Sequence, residues 1–358
     1  MSDTTAAKPA GKRLIRLVLT LGYATLCGAL LNLLDVPLAW MLGAMTGTVA
    51  AALAGVRLER SDALRALMLA VLGVAIGSAF KPGVLADMAG WMPSLGWLAT
   101  YTIAIALLGG LVLRVLAHWN RATAFFSAVP GGLTDMLLAG VERGGDERAL
   151  ALVHAIRIMM TVLIIPLWFT VTGGVPDHGV ETLSPSWSGL TGTGVLWLAG
   201  AGIVGLAAGR VFRLPAYVFI GPMAVSAAIH LAGLTQSHPP GGLVNAAQVV
   251  IGAAIGCRFV GVDLRTVGRI MAVSAIYGFA LVIGSAGVAL VIAPLTGQSA
   301  TTLWLAYAPG GLPEMVLMSL SLGLDPAFVS AHHLFRFTFI LLTARIVYRV
   351  FEWLTPQW

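Results

Sequence analysis

A seven-residue motif occurs twice in this chain, 179 residues apart, and both copies sit among apolar residues. Pro130-Gly131-Gly132-Leu133-Thr134-Asp135-Met136 returns as Pro309-Gly310-Gly311-Leu312-Pro313-Glu314-Met315, and the same offset carries Asp146, His154 and Arg157 onto Asp325, His333 and Arg336. A charge at the centre of a membrane helix costs roughly 2.5–3.5 kcal/mol on insertion scales. Groups of that cost, kept in both copies of a duplication, are held there by a structural or chemical need. The match reaches further. Pro37, Gly43, Ala54 and Gly55 recur at an offset of 178 as Pro215, Gly221, Ala232 and Gly233, and Gly73, Ile76, Gly77 and Phe80 recur at 179 as Gly252, Ile255, Gly256 and Phe259. Nearly the whole chain is one unit written twice.

The surroundings of the motif decide the fold class. With 58% hydrophobic and only 10% charged residues, the chain is far too apolar for a soluble domain of ordinary makeup. An all-α polytopic membrane protein is expected. Stretches 13–34, 38–56, 64–80, 95–117, 149–172, 190–209, 216–234, 241–259, 270–293 and 327–348 are each about long enough to cross a ~30 Å hydrocarbon core. The domain plan is a tail 1–12, a first membrane repeat 13–172, an extracytoplasmic linker 173–189, a second repeat 190–352 and a tail 353–358. The first apolar stretch follows Lys8, Lys12, Arg13 and Arg16 but runs on for about twenty residues without a small-residue cleavage site, so it reads as a span. Cys27 and Cys257 read as small packing residues.

Each half holds five spans and one odd segment, 121–141 or 299–322, interrupted by Pro-Gly-Gly. If these segments enter and leave on one side, 18 of the 21 Lys and Arg residues lie on the side of the N-terminus, leaving only Lys81 outside and Arg157 and Arg336 within spans. If they cross, Arg143, Arg148, Arg210, Arg213, Arg258, Arg265 and Arg269 move outside, against the positive-inside bias. About ten spans therefore follow, with both termini cytoplasmic. Because five is odd, the two repeats are inverted, each with a re-entrant segment. The net charge of +6 then reports orientation; it is spread over short loops and forms no nucleic-acid groove.

Inverted repeats with Gly/Pro-broken helices at matching places are the mark of secondary transporters, and the two breaks are expected to meet face to face. The broken segments (Pro130, Gly131, Gly132; Pro309, Gly310, Gly311) call for unusual backbone angles or close approach, and Pro313 suits a helix start. Asp146 and Asp325 read as helix N-caps. Eleven residues further on, Arg157 and Arg336 fall about 16 Å into their helices, with His154 and His333 on the same face. A buried guanidinium needs a carboxylate, backbone carbonyls or a bound anion, and Asp135 and Glu314 are the nearest acids in the pattern. Two readings stay open: ion pairs that lock the halves together, or a substrate and proton site made of Asp135, His154, Arg157, Glu314, His333 and Arg336. His332 has only Val153 as its counterpart and carries no expectation. The glycine pairs 73/77 and 252/256 are small-residue patterns for close helix packing. No metal-ligand spacing, phosphate-binding loop or nucleophilic triad occurs, so no metal, no cofactor and no enzymatic activity are expected.

The doubled Pro-Gly-Gly-Leu-x-[Asp/Glu]-Met segment, followed by His-x-x-Arg, resembles the membrane AbrB duplication family of bacteria over nearly the full chain. Members of that family carry the labels regulator of gene expression and ammonia monooxygenase. The resemblance implies a bacterial inner-membrane protein with a regulatory label; direct DNA contact does not follow, and the oxygenase label finds no ligand set here. Two functions are carried forward: a secondary transporter of a small solute, with protons as a candidate coupling ion, and a membrane-bound regulator acting indirectly. The lipid bilayer and the solute are the expected partners, nucleic acid is not, and a homo-oligomer is left open.

Overall fold

The computed structural model describes residues 10–80, 83–172 and 191–355; the linker 173–189 lies outside the described residues, as do residues 1–9 and 356–358 of the terminal tails. Among the described residues the chain is helical and has no strand. The first half contributes α1 (Ala10–Asn32), α2 (Ala39–Leu53), α3 (Asp62–Gly77), α4 (Met88–Ala117), α5 (Arg121–Ala128), α6 (Leu133–Val141) and α7 (Glu147–Thr172). The second repeats that order as α8 (Gly192–Val211), α9 (Tyr217–Leu231), α10 (Gly241–Gly256), α11 (Leu264–Thr296), α12 (Ala300–Tyr307), α13 (Leu312–Ser321) and α14 (Pro326–Leu354).

Among the described residues six helices are long and apolar enough to cross a membrane: α1, α4, α7, α8, α10 with its 3-10 extension to Phe259, and α11. Their outward faces suit lipid rather than water. Leu14, Leu19, Leu30, Leu108, Leu196, Ile203, Ile276 and Leu290 are all more than half exposed, a belt that a soluble protein of this size would have to hide. The segments 38–56 and 216–234 form shorter helices than the sequence suggested. Each starts after a left-handed residue, Leu38 or Ala216, and stops before a left-handed glycine, Gly55 or Gly233. At 15 residues each they span about 22 Å.

The duplication is visible in the backbone itself. Positive φ angles fall in register in the two halves, at Asp35 and Arg213, Leu38 and Ala216, Gly55 and Gly233, His118 and Gly297, and Gly144 and Gly323. Packing is exchanged between the halves. α1 packs on α2 and α8 on α9, but α3 packs on α9, and its counterpart α10 packs on α2. The glycine pairs make this possible. A Cβ at Gly73 would run into the carbonyl of Phe219 and one at Gly77 into that of Met223, while Gly252 faces the carbonyl of Met41 and Gly256 faces Thr48. The order of these contacts makes α3 run parallel to α9 and α10 parallel to α2. The start of α3 meets the end of α10, where Arg60 and Arg65 share a cavity with Arg258.

Gly73→Leu or Gly252→Leu has to displace backbone of the facing helix, and we expect either to destabilise the protein by about 3 kcal/mol or more, read as a shift in a denaturant-unfolding midpoint. Gly200, on the open face of α8 with nothing near its missing Cβ, should accept leucine within about 0.5 kcal/mol.

Candidate functional site

Each Pro-Gly-Gly segment splits a helix in two. Asn120 caps α5 through its side chain, accepting from the amide of Thr123 at 2.8 Å, and Ser299 caps α12 in the same way at 3.1 Å. The chain then breaks at Val129–Gly132 and at Ala308–Gly311 and restarts as α6 and α13. The two ends of the first broken segment come together. Asn120 Nδ2 donates to the carbonyl of Gly144 at 2.7 Å, and the amide of Asp146 to Thr123 Oγ1 at 2.8 Å. That segment is therefore a hairpin that returns to where it began. The glycines at its tip do not need left-handed angles, contrary to one half of the expectation: Gly132 and Gly311 have φ of −62° and −75°. Close approach explains them. A Cβ at Gly132 would strike the ring of Phe337, and one at Gly311 would strike the carboxylate of Glu314.

A broken helix leaves its last carbonyls without amide partners, and proline removes one more donor. In an apolar interior each needs another donor. His154 Nε2 donates to the carbonyl of Phe126 at 3.0 Å, and Arg157 Nη1 to that of Val129 at 2.9 Å. The second half repeats this 179 residues on: His333 Nε2 donates to Leu305 at 2.8 Å, and Arg336 Nη1 to Ala308 at 2.7 Å. Since a carbonyl can only accept, the proton of each histidine ring is on Nε2. Arg336 also donates to the carbonyls of Tyr307 and Gly310, both at 3.2 Å, and to His333 Nδ1 at 3.0 Å. Tyr277 adds its hydroxyl to the carbonyl of Ala128 at 3.4 Å, across from Gly109 in a π turn of α4.

The arginines thus take the backbone-carbonyl option among the partners expected for them. Among the described residues neither forms a salt bridge with Asp135 or Glu314; the ion pairs there are Arg13 with Glu59 and Arg60 with Asp62. A guanidinium is suited to this place because the C-terminal end of a helix carries partial negative charge. Asp146 and Asp325 do act as caps, each accepting two amides of the first turn of α7 or α14.

The two equivalent sites differ. Arg336 makes four side-chain hydrogen bonds, whereas Arg157 makes one and its Nε is buried without a partner, as is Nδ1 of His154. Asp135 is exposed, while Glu314 is buried at 7% exposure with Oε2 unpartnered. Gly131 and Gly132 lie against Ile340 and Phe337 of α14, so α14, which carries Arg336 to the second break, also stands beside the first tip.

One buried residue escaped the sequence. His332 accepts at Nε2 from Ser94 Oγ at 2.7 Å, donates from Nδ1 to Phe328 at 2.8 Å and stacks on the Phe328 ring with centroids 3.9 Å apart. Tyr307, next to the second break, donates to the carbonyl of Ser94 at 2.6 Å. Ser94 thereby ties α4 to α12 and α14. Without a counterpart in the first half, His332 gave no repeat signal.

This is an all-helical protein of membrane type, built around two helix breaks whose free carbonyls are held by a His-x-x-Arg pair on the following helix. The chain belongs to the AbrB family: the model described as transition state regulatory protein AbrB matches residues 4–352. A Bacillus subtilis protein, "Uncharacterized protein YhjN", is 28% identical to it over 90% of each chain. An Escherichia coli protein, "Putative regulator AbrB", is 25% identical over 90% of this chain and 92% of its own.

The hydrogen-bond inventory ranks the variants. Arg336→Met strips donors from three carbonyls and from His333 and should cost about 3 kcal/mol or more, with Arg157→Met costing less. Glu314→Gln, which breaks no ion pair, should change stability by under about 1 kcal/mol. A denaturant series on all three checks the order; a Glu314→Gln loss as large as that of Arg336→Met would restore the ion-lock reading.

Proposed function

We propose that this chain is a secondary transporter of a small solute in the bacterial inner membrane, made of ten spans in two inverted five-span repeats, with re-entrant hairpins at α5–α6 and α12–α13 and both termini cytoplasmic. The packing directions support the inversion. α3 begins where α10 ends, which makes it antiparallel to α10 and to α2, and it is parallel to α9. Hence α2 and α9, which are counterparts, run in opposite directions. The hairpin whose ends meet at Asn120 and Gly144 supports one-sided entry of the first broken segment, and the charge distribution over the loops supports the cytoplasmic termini.

The observation that carries the transport reading is one motif held in two arrangements within one chain. In the first half the acid is exposed and Arg157 makes one hydrogen bond; in the second the acid is buried and Arg336 makes four. Inverted repeats that exchange these two arrangements would open the midplane to one side and then to the other. The carboxylates of Asp135 and Glu314 and the free Nδ1 of His154 are the proton-binding candidates, while Arg157 and Arg336 keep the breaks in place. The solute is moved without being changed, since neither a nucleophile nor a metal ligand set is part of this reading. Lipid and solute are the partners it requires, and nucleic acid is not one of them.

A second reading follows the descriptions of the AbrB family and of the Escherichia coli relative as regulators. The chain would then be a membrane-bound regulator acting indirectly, by solute level or by a soluble partner held at its cytoplasmic loops. The two are separated by reconstitution. Solute or proton flux in liposomes that is lost in Glu314→Gln, a variant expected to fold, supports transport; flux unaffected by that change removes Glu314 from the site. Single cysteines in a chain lacking Cys27 and Cys257 test the two arrangements. A polar reagent should reach position 134 from the cytoplasmic side and leave position 313 unmodified. Equal protection of both would favour a packed scaffold.

A further inference from the structure

A cavity of about 410 Å³ opens beside the first hairpin, between the start of α3, the start of α6, the first turns of α7 and the end of α10. Three guanidinium groups line it, those of Arg60, Arg65 and Arg258, with Leu133 and Thr134 of the first turn of α6 and one carboxylate, Asp62. Asp62 is engaged by Arg60 at 3.5 Å. Among the described residues, no carboxylate forms a salt bridge with Arg65 or Arg258. Arg258 Nη1 is buried and has no hydrogen-bond partner, and Arg258 feels the charge of Arg65, Arg60 and Glu314.

Three like charges in one concavity repel, and a buried guanidinium nitrogen without an acceptor costs free energy. An oxyanion relieves both. The nine-residue helix α6 starts at the edge of this cavity without a side-chain cap, with Asp135 in its first turn set against Gly132. We propose that this cavity binds a small solute carrying a carboxylate or phosphate group. The anion accepts from Arg258 and Arg65, and exposed Arg60 draws it in. The planar guanidinium fork fits either group through paired hydrogen bonds. The site belongs to one half only, because Arg258 corresponds to Ala79 in the duplication. It therefore loads or releases on one face. As a statement about substrate class this rests on the transport reading; as a binding site it does not.

The test uses the full chain in nanodiscs of zwitterionic lipid, with inorganic phosphate and succinate as probes and potassium chloride at matched ionic strength as reference. Thermal stabilisation and calorimetric titration should both report binding of at least one oxyanion beyond the chloride effect. Affinity should fall about tenfold or more in Arg258→Gln and Arg65→Gln and stay unchanged in Arg114→Gln, which lies outside the cavity. Should Arg258→Gln fail to fold, Arg60→Gln, at an exposed position, must still weaken binding. Doping the discs with phosphatidylglycerol separates the two sources of a phosphate group: competition with free phosphate identifies a lipid headgroup as the occupant, and its lack identifies a soluble anion. Stabilisation no greater than with chloride, or binding undiminished in the Arg258 and Arg60 variants, overturns the site. Binding without flux would leave this site standing and sink the transport reading, whereas flux without binding here would do the reverse.

Discussion

A helix that breaks inside an apolar body exposes carbonyl oxygens that nothing nearby is obliged to satisfy, and the rest of this protein is arranged around that constraint. At each Pro-Gly-Gly the backbone gives up its own donors. The His-x-x-Arg pair of the next helix returns them, through His154 and Arg157 in one half and His333 and Arg336 in the other. The spacing of three residues is what lets one helix face reach two carbonyls on the same broken turn. Aspartate caps at 146 and 325 fix where α7 and α14 begin, and so fix the depth at which those donors stand.

Much of this was legible because duplication supplies its own control. Breaks and caps could be read from residues that recur at nearly one offset, and apolar length located the helices, although α4, α11 and α14 run six or seven residues beyond the expected stretches. The exceptions have physical causes. α2 and α9 came out short because left-handed backbone at Leu38, Ala216, Gly55 and Gly233 closes them early, and only the glycines announce that in sequence. The guanidinium partners could be narrowed to three kinds but not chosen, since a carbonyl has no letter in the sequence. The tip glycines were rightly marked as special, but for close approach rather than for backbone angle.

What sequence could not reach was contact between residues with no repeat partner. His332 and Ser94 lie 238 positions apart, and the pairing of α4 with α14 is a property of the packed state. Arg60, Arg65 and Arg258 likewise read as loop charges that set orientation. Only folding brings the end of α10 beside the start of α3 and turns three scattered cations into one surface.

The exchange of α3 and α10 between halves also dictates an order of assembly. The glycine face of α3 is matched to α9, whose residue Phe219 follows Gly73 by 146 positions, so on a ribosome adding about 5–20 residues per second it waits roughly 7–30 s for its partner. During that interval a stripe of small residues and bare backbone stands open to any passing helix in the bilayer. Each half leaves one of its helices packed on the other half, α3 on α9 and α10 on α2. A protein of this kind could have come from two separate copies that first interlocked as a pair, and once joined on one chain it would mature late, in a single step, when α9 and α10 arrive together.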